Sequence, residues 1–190
     1  MKNRRKAFVF ACAISVGTLA IVFGTFAQSK PHIAIPIIAA DPKDVSSPEA
    51  AVLADYESIS GGVGVARNWG RDNSLMDPKG RFVDVQTDPK TGAITAKSIS
   101  EQEFADRSDA SSVKGGFTEH ELAHVTHRFG NVATVLSSYE GKLSTTGKVV
   151  ARGVNIYQLY FDGKRWWILS IVWEEERPDN PIPAELLPKK

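Results

Sequence analysis

The most conspicuous chemical motif in the sequence is His120-Glu121-Leu122-Ala123-His124, which has the spacing H-E-x-x-H. On a helix this spacing places two imidazoles one turn apart on one face, where they can bind zinc with the glutamate beside them as general base. On a strand the same histidines lie ~13 Å apart, at ~3.3 Å per residue. One zinc ion, which needs each nitrogen at ~2 Å, cannot bridge that separation. The chemistry of this segment therefore depends on its secondary structure.

The segment 117–129 is predicted to be a strand. Gly130-Asn131 follows it as a two-residue turn, and residues 132–140 can return as the second strand of a hairpin. Three apolar residues of the segment also fit a helical spacing, so periodicity alone leaves both structures open: Leu122, Val125 and Phe129. The hairpin interpretation predicts no metal site, and a zinc metalloprotease remains the third functional hypothesis.

The first half of the domain sequence contains helix signals. Three helices are predicted there, over residues 48–60, 68–76 and 100–108, and one short strand over residues 81–85. Ser47 is a favourable N-cap for the first helix, which ends at Gly61. Ser100 and Glu103 have the spacing of a capping box at the start of the third helix. These local signals define the N-terminal layer of a domain.

The second half of the sequence is rich in β-strand patterns. Four strands are predicted, over residues 117–129, 132–140, 149–161 and 165–174. Asp162-Gly163 is a strong signal for a hairpin turn between the last two strands. The order of helices followed by a meander predicts an α+β domain with N-terminal helices packed on a strongly curved antiparallel sheet.

The N-terminus has the pattern of a secretory signal peptide. Basic residues at positions 2–6 precede an uncharged run, and small residues near Ala27 suit cleavage. The run is also long enough to stay as a membrane anchor. We expect residues 1–27 to be removed, giving a periplasmic or secreted protein that starts near Gln28 and does not contact the membrane. Residues 28–47 are interpreted as a linker, 48–176 as the domain and 177–190 as a Pro-rich tail.

Composition excludes several classes of partner and cofactor. Cys12, the only cysteine, lies in the signal segment, so the rest has no disulfide framework and no thiolate metal site. Removing four of 23 basic residues and none of 22 acidic ones leaves 19 against 22, a formal charge of −3. Nothing in this balance favours nucleic acid as a partner. We expect no cofactor.

Three stretches resemble the SnoaL-like branch of the nuclear-transport-factor-2-like superfamily: residues 128–133 leading to 138–140, residues 152–155 leading to 158–159, and residues 162–167 followed by Trp173. The resemblance extends over about residues 48–186. It implies a cone-shaped domain in which a curved sheet wraps around helices and leaves a conical pocket. It specifies a fold rather than an activity, because such folds contain enzymes, ligand binders and scaffolds.

The resemblance to ketosteroid isomerase, a member of this superfamily, implies positions for the residues of a catalytic site. Tyr56 resembles its oxyanion tyrosine, Asp84 its general base, and Tyr157 or Asn155 its second donor. A carboxylate that moves a proton and donors that hold an enolate are the groups that such chemistry needs. Asp84 is followed by Val85, where the isomerase has proline. The resemblance thus implies catalytic residues Tyr56, Asp84 and Tyr157.

Ligand-binding residues are predicted in the same pocket: Asn155, Trp173 and Glu121. The expected function is binding of a small, partly apolar molecule. The alternative is a cofactor-free isomerase, cyclase or dehydratase that uses acid–base catalysis. Because the last two strands look apolar on both faces, the outer face is expected to form a homodimer.

Overall fold

The computed structural model describes residues 32–189, so the predicted signal peptide lies outside the described residues. The elements in chain order are α1 Pro48–Ile59, α2 Trp69–Leu75, β1 Met76–Thr87, β2 Ile94–Ile99, α3 Glu101–Gly115, β3 Phe117–Phe129, β4 Val132–Leu143, β5 Val149–Phe161 and β6 Trp166–Glu175, with a single-turn helix at Ala184–Leu186. No helix within the described residues is long and apolar enough to cross a membrane.

The three helices begin at the residues that the sequence indicates. The side chain of Ser47 accepts a hydrogen bond from the amide of Ala50 at 3.1 Å. Ser100 and Glu103 form both bonds of the capping box, which fixes the first turn of α3. Each cap satisfies backbone amides that have no partner inside the helix. The predicted helices are therefore confirmed, and their caps explain where they start.

The six strands form one open, mixed sheet in the order β2-β1-β6-β5-β4-β3. The pairing of β1 with β6 is parallel, with Asp84 opposite Trp173, and the other pairings are antiparallel. The α+β fold class is confirmed, but the expectation of a wholly antiparallel sheet is wrong at this pairing. Hairpin signals specify neighbours along the chain, and they do not specify which strand docks beside β1 after α3.

The core lies between α1 and the inner face of the sheet. Its most deeply buried members include Val52, Tyr56, Leu75, Phe82, Ile99, Val135, Tyr157 and Ile168. Alternation along β5 explains which of its residues belong to the core: Tyr157 and Leu159 are buried, whereas Ile156 and Gln158 are exposed. One face of the sheet therefore packs on the helices, and the other is the outer face of the domain.

A bulge in β6 changes which residues face the core. Gln158 pairs with Ser170, but Leu159 pairs with Ile168, so Leu169 is an additional residue between the two pairs. As a result Ile168 and Ile171 both turn inward, although simple alternation predicts opposite faces. Leu169 is exposed.

The segments on either side of residues 48–176 also pack on the domain. In the segment predicted as a linker, Val45 is buried, and its carbonyl accepts from the amide of Trp166 at 3.0 Å. In the C-terminal tail Ile182 and Leu186 are buried, and Ser138 Oγ donates to the carbonyl of Leu186. Ser138 alternates with the inward-facing Ser137, so the tail covers part of the outer face of the sheet.

Candidate functional site

A cavity of about 370 Å³ lies beside the inner face of the sheet, and residues of α1, α3 and the strands line it. Six aromatic side chains contribute to its wall: Trp69, Phe82, Phe104, Phe117, Tyr139 and Trp173. Polar and charged side chains also line it: Asp55, Arg67, Arg107, Glu119, Asn155 and Glu175. The cavity is therefore an aromatic pocket into which a small number of polar groups converge.

The aromatic wall is organised around Phe104 of α3. Its ring stacks on Phe82, with the ring centroids 4.5 Å apart. It also makes edge contacts with Trp69 at 6.0 Å and with Trp173 at 6.2 Å. The indole Nε1 of Trp69 donates to Asp109 at 2.9 Å, which fixes the orientation of that ring. The wall is thus held in place before any ligand arrives.

Glu119 of β3 is the main acid of the cavity. Its amide donates to Ser60 Oγ at 2.8 Å, and that hydroxyl donates back to the Glu119 carbonyl at 3.0 Å. Burial, together with the nearby Asp55 carboxyl, raises the pKa of the Glu119 carboxyl to about 8, although a hydrogen bond from Asn155 opposes the rise. Near neutral pH this group is mostly protonated, so it can donate a proton and, once ionised, take one back.

Asn155 connects the cavity to a hydrogen-bond network behind it. Its Nδ2 donates to the hydroxyl of Tyr56 at 3.1 Å. Ser137 Oγ gives its only proton to Glu121 at 2.6 Å, so the Tyr56 hydroxyl donates to Ser137 at 2.8 Å. Tyr56 is buried, and its hydroxyl has both a donor and an acceptor as partners. Its contact with the cavity is therefore indirect, through Asn155.

Tyr157 does not line the cavity itself, and its hydroxyl contacts a buried group of carboxyls that includes the cavity residue Asp55. Its hydroxyl donates to Asp55 Oδ2 at 2.7 Å. Asp55 also interacts with Asp72, and Asp72 interacts with Glu101. Burial is the largest cause that raises the pKa of each of these carboxyls, well above the usual range for the two aspartates and to about 7 for Glu101. We call Asp55, Asp72 and Glu101 the carboxyl cluster.

Asp84, the predicted general base, is bound by neighbouring donors. Its Oδ2 accepts from Gln86 Nε2 at 3.0 Å and from Arg107 Nη2 at 3.1 Å. It lies beside Trp173 in the sheet, but its side chain does not line the cavity. Asp84 therefore orients Arg107, which does line the cavity.

The H-E-x-x-H string lies on β3, which confirms the strand predicted at 117–129. The register with β4 shifts after Glu121, and the Glu121 carboxylate contacts His124 Nδ1 at 2.6 Å. Its other oxygen accepts from Ser137, so Glu121 lies within the network and not on the cavity wall. Within residues 32–189, no cluster of three or more histidine, cysteine or acidic side chains could hold a metal ion.

Among the predicted site residues, the structure places two on the cavity wall: Asn155 and Trp173. Tyr56 contacts one of them, Asn155. Asp84 and Tyr157 bond to two other residues of the wall, Arg107 and Asp55, and Glu121 bonds to Ser137 behind it. Sequence reasoning missed Glu119 and Arg67. Alternation along β3 from Phe117, which lines the cavity, could have indicated Glu119. Arg67 lies in an irregular loop, where no periodic signal exists.

Arg67 lies in the connection between α1 and α2, and its side chain lines the cavity. The residue is only 6% exposed, and its guanidinium carbon lies 5.8 Å from the centre of the Phe117 ring. Neither Nη1 nor Nη2 has a hydrogen-bond partner among the described residues. Burial lowers the pKa of this guanidinium, and the charge of Asp109 opposes that effect. Arginine remains charged in proteins in spite of such shifts.

No family model matches the chain, and no curated protein matches its sequence. Among solved structures, a protein of unknown function with a cystatin-like fold from Nostoc punctiforme matches with a TM-score of 0.50 and 11% identity, covering 72% of this chain and 98% of that one. An NTF2-like protein from Methylobacillus flagellatus matches with a TM-score of 0.46 and 11% identity, covering 68% and 89%. A candidate ketosteroid isomerase from Parabacteroides distasonis matches with a TM-score of 0.45 and 12% identity, covering 69% and 89%.

The similarity with a TM-score of 0.50 bears out, at the level of the fold, the α+β domain that the resemblance implied. The chain has an α+β cystatin-like fold, with few helices packed against an open six-stranded sheet. At such low identities the similarity shows the fold alone. Any activity must be argued from the residues of the cavity.

Proposed function

We propose that the cavity is a binding site for a small, partly aromatic or apolar molecule. The observation that carries this proposal is the aromatic wall around Phe104, which stays accessible in a cavity of about 370 Å³. That volume lies within the range of roughly 300–1,000 Å³ that is typical of ligand pockets. A solvent-filled aromatic cavity is costly for a protein, and a ligand that removes apolar surface from water offsets that cost.

The polar groups give the cavity two chemically different parts. Trp69, Phe82 and Trp173 surround Phe104 and present apolar surface. Arg67 and Glu119, by contrast, contribute polar groups to the same cavity. An apolar body with a small polar group therefore matches the cavity better than a sugar or a peptide does.

Filling part of the cavity should weaken binding. Ala151 lines the cavity, and Ala151→Leu places three further carbons in it. We expect this variant to weaken binding of 2-naphthol at least about tenfold, because the ring and the added carbons cannot occupy the same space. Isothermal titration calorimetry measures the effect. Ala96→Leu, on the exposed face of β2, is the matched control and should bind as the wild type does. Equal binding by both variants would place the site elsewhere.

A cofactor-free enzyme that uses acid–base catalysis is the second candidate, and the pKa of Glu119 favours it. A general acid or base works best when its pKa lies near the operating pH, and the carboxyl of Glu119 has a pKa of about 8. In this proposal Glu119, rather than Asp84, transfers the proton, and Arg67, whose terminal nitrogens have no acceptor among the described residues, stabilises the developing oxyanion. An isomerase, cyclase or dehydratase fits this pair of groups.

The titration of Glu119 tests that second candidate. We expect its side-chain carboxyl carbon, followed by NMR in glutamate-labelled protein, to titrate with a midpoint near about 8, and the signal to be missing in Glu119→Gln. The exposed Glu103, whose carboxylate accepts from the Ser100 amide and so has a lowered pKa, is the internal reference. A midpoint for Glu119 in the ordinary range near about 4 would remove the case for acid–base chemistry at neutral pH.

We also propose that the domain forms a homodimer through the uncovered part of its outer face. The tail covers only part of this face, and Ile156 and Leu169 remain exposed there. We expect light scattering to give a dimer mass at micromolar concentration, and Ile156→Lys to give a monomer because the buried charge would lack a partner. Ile94→Lys, on edge strand β2, is the control and should stay dimeric. A monomer mass for the wild type would contradict the proposal.

A further inference from the structure

Arg67 gives the cavity a specificity that goes beyond shape. We propose that Arg67 binds a carboxylate group of the ligand, so that the cavity selects small aromatic or apolar carboxylic acids. This inference rests on the proposed binding function of the same cavity. It is argued from the position of the guanidinium, from the atoms that hold it there and from the charges that surround it.

The guanidinium is a buried cation whose terminal nitrogens lack a protein acceptor. Arg67 is 6% exposed, and Nη1 and Nη2 make no hydrogen bond within residues 32–189. A buried charge without a partner is costly, because it loses hydration and gains nothing in return. The second guanidinium in the cavity, that of Arg107, differs in donating to Asp84 at 3.1 Å. Arg67 is thus the guanidinium that can offer its terminal donors to a ligand.

The fold leaves space for the guanidinium at Gly61. A Cβ atom at this position would lie 2.7 Å from Nη1 of Arg67, closer than non-bonded atoms can approach. Gly61 is itself fixed to β3, since its amide donates to the Phe117 carbonyl at 2.8 Å and its carbonyl accepts from the Phe117 amide at 2.9 Å. Phe117 also presents its ring to the guanidinium. The cation therefore rests on a rigid backbone site and is oriented before binding.

The charges around Arg67 permit an anionic ligand. Asp109 acts on Arg67 electrostatically, but it accepts a hydrogen bond from Trp69 Nε1 and leaves the terminal nitrogens of Arg67 unbonded. Burial raises the pKa values of the cavity carboxyls of Asp55, Glu119 and Glu175 above their usual range. Protonated carboxyls do not repel a carboxylate, and they can donate a hydrogen bond to it.

The chemistry favours a carboxylate over a larger anion. A planar guanidinium matches a carboxylate through two parallel hydrogen bonds, and such charge-assisted pairs are the strong ones. A phosphate dianion would need several further donors. The aromatic wall around Phe104 suits an aromatic or alicyclic body next to that carboxylate. The expected ligand class is therefore a monoanionic aromatic or apolar acid.

A matched pair of probes tests this inference. Naphthalene-2-carboxylate and naphthalene-2-carboxamide have nearly the same shape and differ in charge. We expect calorimetry at neutral pH to show that the wild type prefers the carboxylate by about tenfold, the amount that one charge-assisted hydrogen bond supplies. Arg67→Met should reduce the preference to less than about twofold, and it should still bind the amide measurably, because its apolar stem keeps the wall intact. Arg81→Met, outside the cavity, should keep the wild-type preference.

A second variant changes the position of the Arg67 guanidinium without removing its charge. Gly61→Ala keeps Arg67 but pushes its guanidinium away, and we expect it to lower the preference for the carboxylate as well. If the wild type binds both probes equally, or if Arg67→Met keeps the preference, the inference is wrong while the binding function of the cavity stands. If neither probe binds, the proposed function fails and this inference fails with it. Binding of the amide by each variant shows that its cavity is folded.

Discussion

The free energy of unfolding should fall by several kcal/mol as the pH rises from about 5 to about 9, and Asp72→Asn should remove a large part of that fall. Asp72 is fully buried between Asp55 and Glu101. Burial raises the pKa values of all three carboxyls, because ionisation inside the protein loses hydration and the charges repel one another. The folded protein therefore favours the protonated cluster.

The direction of the pH dependence follows from these raised pKa values. A carboxyl whose pKa is higher in the folded state stabilises the fold below its unfolded pKa, and this stabilisation is lost as the pH rises through the folded pKa. For Glu101 the pKa rises from 4.5 to about 7. At 1.36 kcal/mol per unit, this carboxyl alone accounts for about 3 kcal/mol. Glu119, with a pKa of about 8, extends the loss to higher pH.

Urea unfolding at a series of pH values measures this effect. Asp72→Asn removes the central ionisable group and keeps its size, so its stability should depend less steeply on pH than that of the wild type. Glu185→Gln, at an exposed position in the tail, is the control and should follow the wild-type curve. A wild-type stability that is constant or rises over this range, or equal slopes for wild type and Asp72→Asn, would show that the carboxyl cluster is not protonated in the fold.

Asp44→Ala should lower the free energy of unfolding by about 3 kcal/mol. Arg71 Nε donates to Asp44 Oδ2 at 2.7 Å, and Nη2 donates to Oδ1 at 2.9 Å. Asp44 is only 4% exposed, so the substitution removes a two-point ion pair that is shielded from water. Glu57 remains as a second partner of Arg71 at 2.8 Å. The expected loss of stability is therefore at the lower end of the range for buried ion pairs.

Asp41→Ala is the matched control for that substitution. Asp41 lies in the same turn, but it is exposed and pairs only with Lys43, at 3.5 Å. Its removal should change the free energy of unfolding much less than the removal of Asp44 does. Thermal or urea unfolding of both variants measures the difference. Similar losses for the two variants would mean that the contact of Asp44 with Arg71 does not tie this segment to the domain.

Local signals explain why most elements could be predicted from the sequence. Ser47 and Ser100 cap their helices with hydrogen bonds that involve only nearby residues. Gly130 adopts a φ of 57°, which glycine tolerates at a tight turn between β3 and β4. Such signals act within a few residues and do not depend on the rest of the fold. They set element boundaries without setting the arrangement of the elements.

The features that the sequence did not predict depend on contacts between distant segments. Strand β2, Ile94–Ile99, is exposed at all but its last position, so its alternation is weak, and pairing with β1 defines it. The parallel contact of β1 with β6 arises only after the chain has passed through α3 and the meander. The bulge at Leu169 likewise appears only in the pairing with β5. Periodicity within one strand contains no information about these partners.

The site was predicted only in part for the same reason. Asn155 and Trp173 lie on one cavity wall because they are paired neighbours on β5 and β6. Asp84 was assigned the role of base from its position on β1, but the carboxylate is bonded to Arg107 of α3. Arg67 is a candidate binding residue because its terminal nitrogens have no acceptor among the described residues. The sequence alone does not show whether a side chain has such a partner.

The indole N–H signals of the tryptophans test the central claim, a ligand site in this cavity, most directly. Trp69 and Trp173 line the cavity, whereas Trp167 lies outside it, with its Nε1 bonded to Asp162 at 2.8 Å. On addition of naphthalene-2-carboxylate, two-dimensional NMR should show shifts for Trp69 and Trp173 and none for Trp167. Shifts at Trp167 that equal those of the other two, or no shift at any of the three, would contradict the assignment of the cavity as a binding site.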